Sequence, residues 1–357
     1  MAEAAPPGVA LVHGLIRPKG IVAPRDWYVP DDVYGWRAVV VLFGVLAGGV
    51  AALPWLVDRF GVMGMTPVVP IIGAYVYKLT ILMHECCHRT LFRARRTNDR
   101  VGLVAGGFLV TSYDAFCRAH WQHHRHCGTD EDGEESDYLT LQEAPPRRLV
   151  FHLFKPLLGA QALRLAFAAM AAVVAALRGR GAAPSSVAAA STTADGVDDG
   201  GPSRSGAREV RPIVSPIAQI AAIAVCQLTI AALATGGGRR PWLVLVYPAT
   251  AATFGLFFSR IRAFCEHVHI GRFEGQCSVR SHLPNPVDRL FFYTLNMNLH
   301  VEHHLFPQVP ACHLPRVRAR LEEVGYLEPS MSSRSIAGTI LGVLADARAR
   351  QRVLVRS

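Results

Sequence analysis

Eight histidines stand in three short motifs: His84 and His88 in HECCH, His120, His123 and His124 in HWQHH, and His300, His303 and His304 in HVEHH. Spacings of three and four residues put the imidazoles of each motif on one face of a helix. Neutral imidazole binds first-row transition metals, and eight such ligands are too many for one ion. Two ions sharing one cage is the count they predict. An all-nitrogen donor set disfavours Mg and Ca, which take oxygen, and catalytic zinc needs only three protein ligands and an open position. The set therefore points to two Fe2+ ions. A diferrous pair can supply electrons to O2 and generate an oxidant that attacks an unactivated C–H bond, chemistry beyond any side-chain acid or nucleophile.

A ninth ligand is expected to complete the second ion, and His267 in the run RAFCEHVHI is the choice. If the helix before it continues past Ser259, His267 lies about 12 Å further along at 1.5 Å per residue, the height of a cytoplasmic cap over a membrane. His269 is the competitor, two residues on and facing elsewhere. Glu85, Glu266 and Glu302 each sit beside an expected ligand; they read either as acceptors of the second ring N–H or as solvated helix-end charges. Asn296 and Asn298 precede the third motif, and either is placed to hold a metal-bound water. Asp130, Glu131 and Asp132 read as a polar loop, with orientation of the second motif's histidines as the other option. His13, His126, His152, His282 and His313 fall outside the spacing patterns and read as ordinary residues. Tyr113 and Trp121 read as packing or interface anchors.

The elements that must position these motifs are apolar runs. The chain of 357 residues is 51% hydrophobic and 18% charged. Ala38 to Val57, Gly61 to Tyr77, Ile213 to Thr235 and Pro241 to Ser259 are uncharged runs near the roughly 20 residues a transmembrane helix needs. The fold class is thus all-α: an integral membrane protein of four transmembrane helices with a cytoplasmic helical cap holding a histidine-ligated diiron site. Buried core helices of a soluble protein would not come as four such runs. The first two spans are expected to form a hairpin with a turn at Asp58, Arg59 and Phe60, the second delivering His84 and His88 at its end. Val101 to Ser112 is too short to cross and reads as a re-entrant or interfacial helix. The stretch 149–177 is apolar but carries Lys155 and Arg164, and a mid-membrane charge costs roughly 2.5–3.5 kcal/mol. All three motifs must share one side, so an even number of crossings separates the second from the third. The two clean spans supply both, which leaves 149–177 on the surface as an amphipathic helix.

The chain divides into an N-terminal cytoplasmic arm (1–36), a first membrane half with the first two motifs (37–177), a linker (178–212), a second membrane half with the third motif (213–330) and a C-terminal cytoplasmic helix or tail (331–357). The linker's Ala, Gly, Ser, Pro and Asp cannot bury a core, so it is expected to be disordered. The net charge is +10, with Arg89, Arg93, Arg95, Arg96 and Arg100 just after the second span. The positive-inside rule places that stretch in the cytoplasm, and the charge suits anionic lipid or an acidic redox partner. No motif supports nucleic-acid binding. The eight cysteines form neither a disulfide framework nor a paired zinc site, which fits a reducing compartment.

HECCH differs by one residue from the HECGH box of acyl-lipid desaturases, HWQHH matches their second box and HVEHHLFP resembles their third. Over residues 38–325 the chain resembles the membrane fatty acid desaturase and hydroxylase superfamily. The resemblance implies a mushroom-like four-helix bundle with a cytoplasmic cap, O2 as co-substrate and a lipophilic substrate in a tunnel beneath two irons. It carries the family's box ligands onto His84, His88, His120, His123, His124, His300, His303 and His304, and the additional one onto His267. Where some relatives place a water-bridging Asn four residues before that histidine, this chain has Ala263. It has no HPGG of a fused cytochrome b5 domain and no ferredoxin-type cysteine run, so electrons are expected from a separate ferredoxin or cytochrome with its reductase. Acyl-chain desaturation is the expected reaction, on an acyl-lipid, acyl-CoA or acyl-carrier substrate. Hydroxylation or ketolation of a carotenoid, another isoprenoid or another lipid is the alternative, since superfamily membership does not fix the reaction. A zinc-bearing membrane receptor or hydrolase is the reading from a different class, and it would leave at least four histidines idle. The composition and linker hint at a bacterial inner-membrane protein of a specialised pathway.

Overall fold

The computed structural model describes residues 11–12, 15–16, 23–127, 132, 141, 144–159, 163, 213–268 and 279–356. The linker 178–212, His13, Asp130, Glu131 and His269 lie outside these residues, as does most of the stretch read as a surface helix. The regular elements of the described chain are helices apart from two pairs of two-residue strands, β1 (Leu11–Val12) with β2 (Leu15–Ile16), and β3 (Ser281–His282) with β4 (Ser332–Ser333). The second pair is parallel. Both are small departures from the all-α expectation.

Among the described residues, four helical stretches are long and apolar enough to cross a membrane. The first is α1 (Asp32–Phe60), which starts inside the expected N-terminal arm because Asp31 caps it, accepting from the amides of Val33 and Tyr34. It also runs through Asp58, Arg59 and Phe60, the expected turn. The chain instead turns at Gly61, whose φ of 66° suits glycine. The second is α2 (Val68–His88), unbroken to its last histidine. α3 (Arg95–Leu109) and α4 (Tyr113–His126) follow. The short apolar run expected at Val101 to Ser112 is the C-terminal part of α3, which packs between α2 and α6 (Pro216–Thr235), the third span. Gly107 makes that packing possible, since a Cβ there would stand 2.7 Å from Cys226 Sγ and 2.8 Å from the Ala222 carbonyl.

α6 turns Ile217, Ile220, Val225 and Leu228 outward, each more than 60% exposed. An outward apolar face is what a helix presents to lipid. The fourth span, Pro241–His267, has four parts. A 3-10 turn (Pro241–Leu245) leads into α7 (Val246–Thr250), a π segment (Ala251–Gly255) and α8 (Leu256–His267). The π segment packs on α2 at Gly73, where a Cβ would come within 2.3 Å of Phe254 Cβ. At the other end of the bundle, Arg240 and Asp58 pair at 2.6 Å and tie the fourth span to the first.

Lys78, charged and inside the second span, is buried. Its Nζ donates to the carbonyls of Arg289 (3.1 Å) and Leu290 (2.7 Å) at the end of α9 (Pro286–Phe291) and lies over the Tyr75 ring. Terminal helix carbonyls are suitable partners for a buried ammonium. Between 146 and 159 the chain forms α5 (Pro146–Phe154) and a short 3-10 turn ending at Gly159, with Leu149 and Leu153 facing inward. The last elements are α10 (His300–Leu305), α11 (Leu314–Glu323) and α12 (Ile336–Arg356).

Candidate metal centre

Nine buried histidines meet where α2, α4, α8 and α10 converge, and they sort into two groups. His84, His88, His120, His124 and His303 form one; His123, His267, His300 and His304 form the other. Within each group the ligand-capable atoms lie within 4.8 Å of one another. The groups touch: the rings of His124 and His304 are 4.6 Å apart.

Helical geometry explains the sorting. In HWQHH on α4, the i and i+4 residues, His120 and His124, face the first group while His123 at i+3 faces the second. In HVEHH on α10, the i and i+4 residues, His300 and His304, face the second group while His303 crosses to the first. The two similar motifs are therefore used in opposite senses. α2 contributes His84 and His88 to the first group only. α8 contributes His267 to the second only, as its last residue.

The Nε2 atoms point at one another. In the first group His88 and His120 approach at 2.8 Å, His120 and His124 at 3.0 Å, and His124 and His303 at 3.1 Å. In the second group His300 lies 2.9 Å from His267 and 3.2 Å from His304. A neutral imidazole nitrogen carries either one N–H or one lone pair. His120, His124 and His300 each meet two such neighbours with a single nitrogen, so hydrogen bonds alone cannot satisfy the convergence. A cation at the focus of the lone pairs does, and the donor set fits a metal. Burial first, and then the neighbouring imidazoles, hold His120, His124, His300 and His303 well below the ordinary histidine range. The shift favours the neutral form, the one that binds metal.

Around the histidines, the structure redistributes the expected supporting roles. Asp132, read as part of a polar loop, is fully buried, and His123 Nδ1 donates to its Oδ2 at 2.9 Å. That bond leaves Nε2 of His123 as the ligand nitrogen. Its only signal in the sequence was an acid within an acidic run close to the motif. Glu85 sits 3.5 Å from His84 Nδ1 but also accepts from Thr90 Oγ1 and the Ala311 amide, bracing α2 against the segment before α11. Glu302 accepts from Ser281 Oγ and from Arg318 Nη1, so it fastens α10 to β3 and α11 rather than orienting an imidazole. Burial raises its carboxyl, and those two donors oppose the rise. Asn296 donates to the Ala311 carbonyl and Asn298 to the His282 carbonyl, where a water-holding role was expected of either. Glu266 accepts from Arg262 Nε at 2.7 Å and has its other oxygen 3.6 Å from His300 Nε2.

Trp121 packs its ring against His88 (4.8 Å) and His124 (5.8 Å), and Tyr113 lies buried under α3 at Gly102. His126, His152, His282 and His313 belong to neither group. The seven cysteines among the described residues are free thiols.

Residues 61–334 match the family model of fatty acid desaturases. The match covers most of the chain and takes in all nine histidines, and the protein belongs to the fatty acid desaturase family, a family of oxidoreductases. With its four apolar spans it is a membrane protein. No curated protein matches the chain.

Proposed function

We propose that the protein is an O2-dependent desaturase of fatty acyl chains whose nine histidines hold two Fe2+ ions. The observation that carries this reading is the convergence of the nine imidazoles into two adjacent groups beside apolar spans, in a chain of the desaturase family. Five histidines hold one ion and four hold the other. When bound, the ferrous pair supplies the electrons and oxidising power for attack on an unactivated methylene.

The chain's own residues do the rest. The imidazoles are pre-assembled, and burial disfavours the protonated form of His120, His124, His300 and His303, the form that cannot bind an ion. Asp132 fixes the tautomer and orientation of His123. The spans carry a lipophilic acyl chain to the site, with candidate lining among Val39 to Leu53, Val68 to Leu82 and Leu243 to Phe258. The overall step takes one hydrogen from each of two neighbouring carbons. With O2, two electrons and two protons, it yields a C=C bond and two waters. The electrons come from a separate ferredoxin or cytochrome with its reductase. Arg89, Arg93, Arg95, Arg96 and Arg100, beside the end of α2, support a cytoplasmic position for this side of the bundle under the positive-inside rule.

The test is lipid mass spectrometry of a bacterial host expressing either the wild-type chain or His303→Ala, together with a ferredoxin system. Loss of two hydrogens from acyl chains in the wild type alone is the expected result. A histidine-dependent gain of one oxygen would replace desaturation with hydroxylation. Purified protein with one zinc and no iron per chain would overturn the diiron reading.

A further inference from the structure

The two groups are unequal, and a buried carboxylate stands at the smaller one. Glu266 precedes His267 at the end of α8 and is 2% exposed. Its Oε1 accepts from Arg262 Nε at 2.7 Å, and the same guanidinium donates through Nη2 to the Met297 carbonyl at 3.1 Å. The Glu266 side chain is thereby held between α8 and the turn that leads into α10. Its Oε2 lies 3.6 Å from Nε2 of His300. That nitrogen is the one converging with Nε2 of His267 at 2.9 Å and of His304 at 3.2 Å.

The side of the ring matters. A carboxylate that supports a metal-bound imidazole from outside takes the proton of the distal nitrogen, as Asp132 does at Nδ1 of His123. Glu266 faces the proximal nitrogen instead. A carboxylate oxygen and an imidazole lone pair directed at the same space repel unless a cation lies between them. Donor atoms on one ion, with bonds of about 2.0–2.2 Å, stand about 3 Å apart when adjacent and about 4.2 Å apart when opposite. The observed separation falls between those limits.

We propose that Glu266 Oε2 is the fifth protein donor of the four-histidine group, bound through one oxygen while Arg262 holds the other. Each ion then has five protein donors, but one set is all nitrogen and the other includes an anionic oxygen. This rests on the diiron reading above. The two ions are accordingly inequivalent in charge and ligand hardness.

The test uses full-length protein in detergent, loaded anaerobically with 57Fe2+ and read by Mössbauer spectroscopy and iron content. Wild type should hold two irons per chain, giving two ferrous signals of equal area. Glu266→Gln should leave one signal unchanged and shift or abolish the other, with a loss of Fe2+ affinity at that site greater than the roughly 10–100-fold typical of an outer partner. Arg262→Gln removes the ion pair but keeps the carboxylate, and should retain both irons. Two unchanged signals in Glu266→Gln, or identical behaviour of the two variants, would overturn the assignment. Should Glu266→Gln fail to fold, Glu266→Asp keeps the charge and shortens the reach by one methylene. The same affected signal is then expected, and two unchanged signals again defeat the proposal. Wild-type protein lacking two irons would instead defeat the diiron reading itself.

Discussion

The five-histidine and four-histidine groups are built from different kinds of parts. The first takes two i,i+4 pairs, His84 with His88 and His120 with His124, and one single residue, His303. The second takes one such pair, His300 with His304, and two singles, His123 and His267. A pair on one helix fixes two donors with one element, because its members share a face. A single donor depends on where its helix stops and on what braces the ring. His267 is the last residue of α8, and His123 has Asp132 behind it. The second group is thus the more dependent on tertiary support.

That contrast is open to direct attack. The largest effect is expected at His120, whose Nε2 meets both His88 and His124. His120→Ala should cost more than the roughly 10–100-fold typical of an outer partner in product formation, and should strip iron from the five-histidine group. Iron analysis showing loss of both ions in equal measure would break the distinction between the groups. Asp132→Asn should act on the other side only, weakening Fe2+ binding by about 10–100-fold at the four-histidine group. An iron titration should then show one tight and one weakened site.

Gly73→Ala tests whether the support for His267 reaches back into the membrane. The new methyl would collide with Phe254 on the π segment, and overpacking of this kind costs about 1–3 kcal/mol. A lowered melting temperature with weaker iron binding at the four-histidine group is expected, and loss at the five-histidine group alone would contradict it. A further effect is a pH slope at His282. Burial first, then Arg280 and Arg262, push this imidazole down to about 3. The unfolded chain protonates its histidine near pH 6.5 while the folded one stays neutral. Stability therefore declines as pH falls below about 6.5, by about 1.4 kcal/mol per unit from this group, and the decline ends near the folded value. His282 and Asn298 exchange backbone-directed hydrogen bonds just before α10, so the decline bears on His300. Thermal melts of metal-free protein between pH 7 and 4 should show a shallower slope in His282→Gln than in wild type.

Periodicity made much of this legible. The four spans, the helical placement of all three motifs and the extension of the fourth span to His267 follow from apolar run length and three- and four-residue spacing. What spacing does not encode is direction across a helix crossing. HWQHH and HVEHH look alike, yet α4 and α10 deal their i+3 histidines to opposite groups, because that depends on how the two helices meet. The braces were also hidden. Asp132 reads as one acid in an acidic run, and nothing in the spacing pairs Arg318 with Glu302, sixteen residues before it. The helix ends were missed for local reasons: Asp31 caps α1 earlier than hydropathy suggests, and Gly61 moves the turn past Asp58, Arg59 and Phe60.

The π segment at Ala251–Gly255 has a consequence for how this protein can vary. A π turn holds one residue more than an α turn, and one residue of α-helix is about 100° of rotation. Deleting one residue there would let the span close into regular helix with everything beyond it kept near its present face, whereas a deletion in the flanking α-helix turns everything beyond it by that angle. His267 and Glu266 would then face away from the metal site, although every side chain in the lipid-facing part kept its chemistry. Substitutions in this stretch are therefore tolerable wherever they fit beside Gly73, as is loss of its extra residue, whereas a one-residue gain or loss in the regular helix on either side is not. Among related sequences, the distance from the end of the third span to the final histidine of α8 is expected to be constant, or one residue shorter where the π turn is absent, while the residues between them drift.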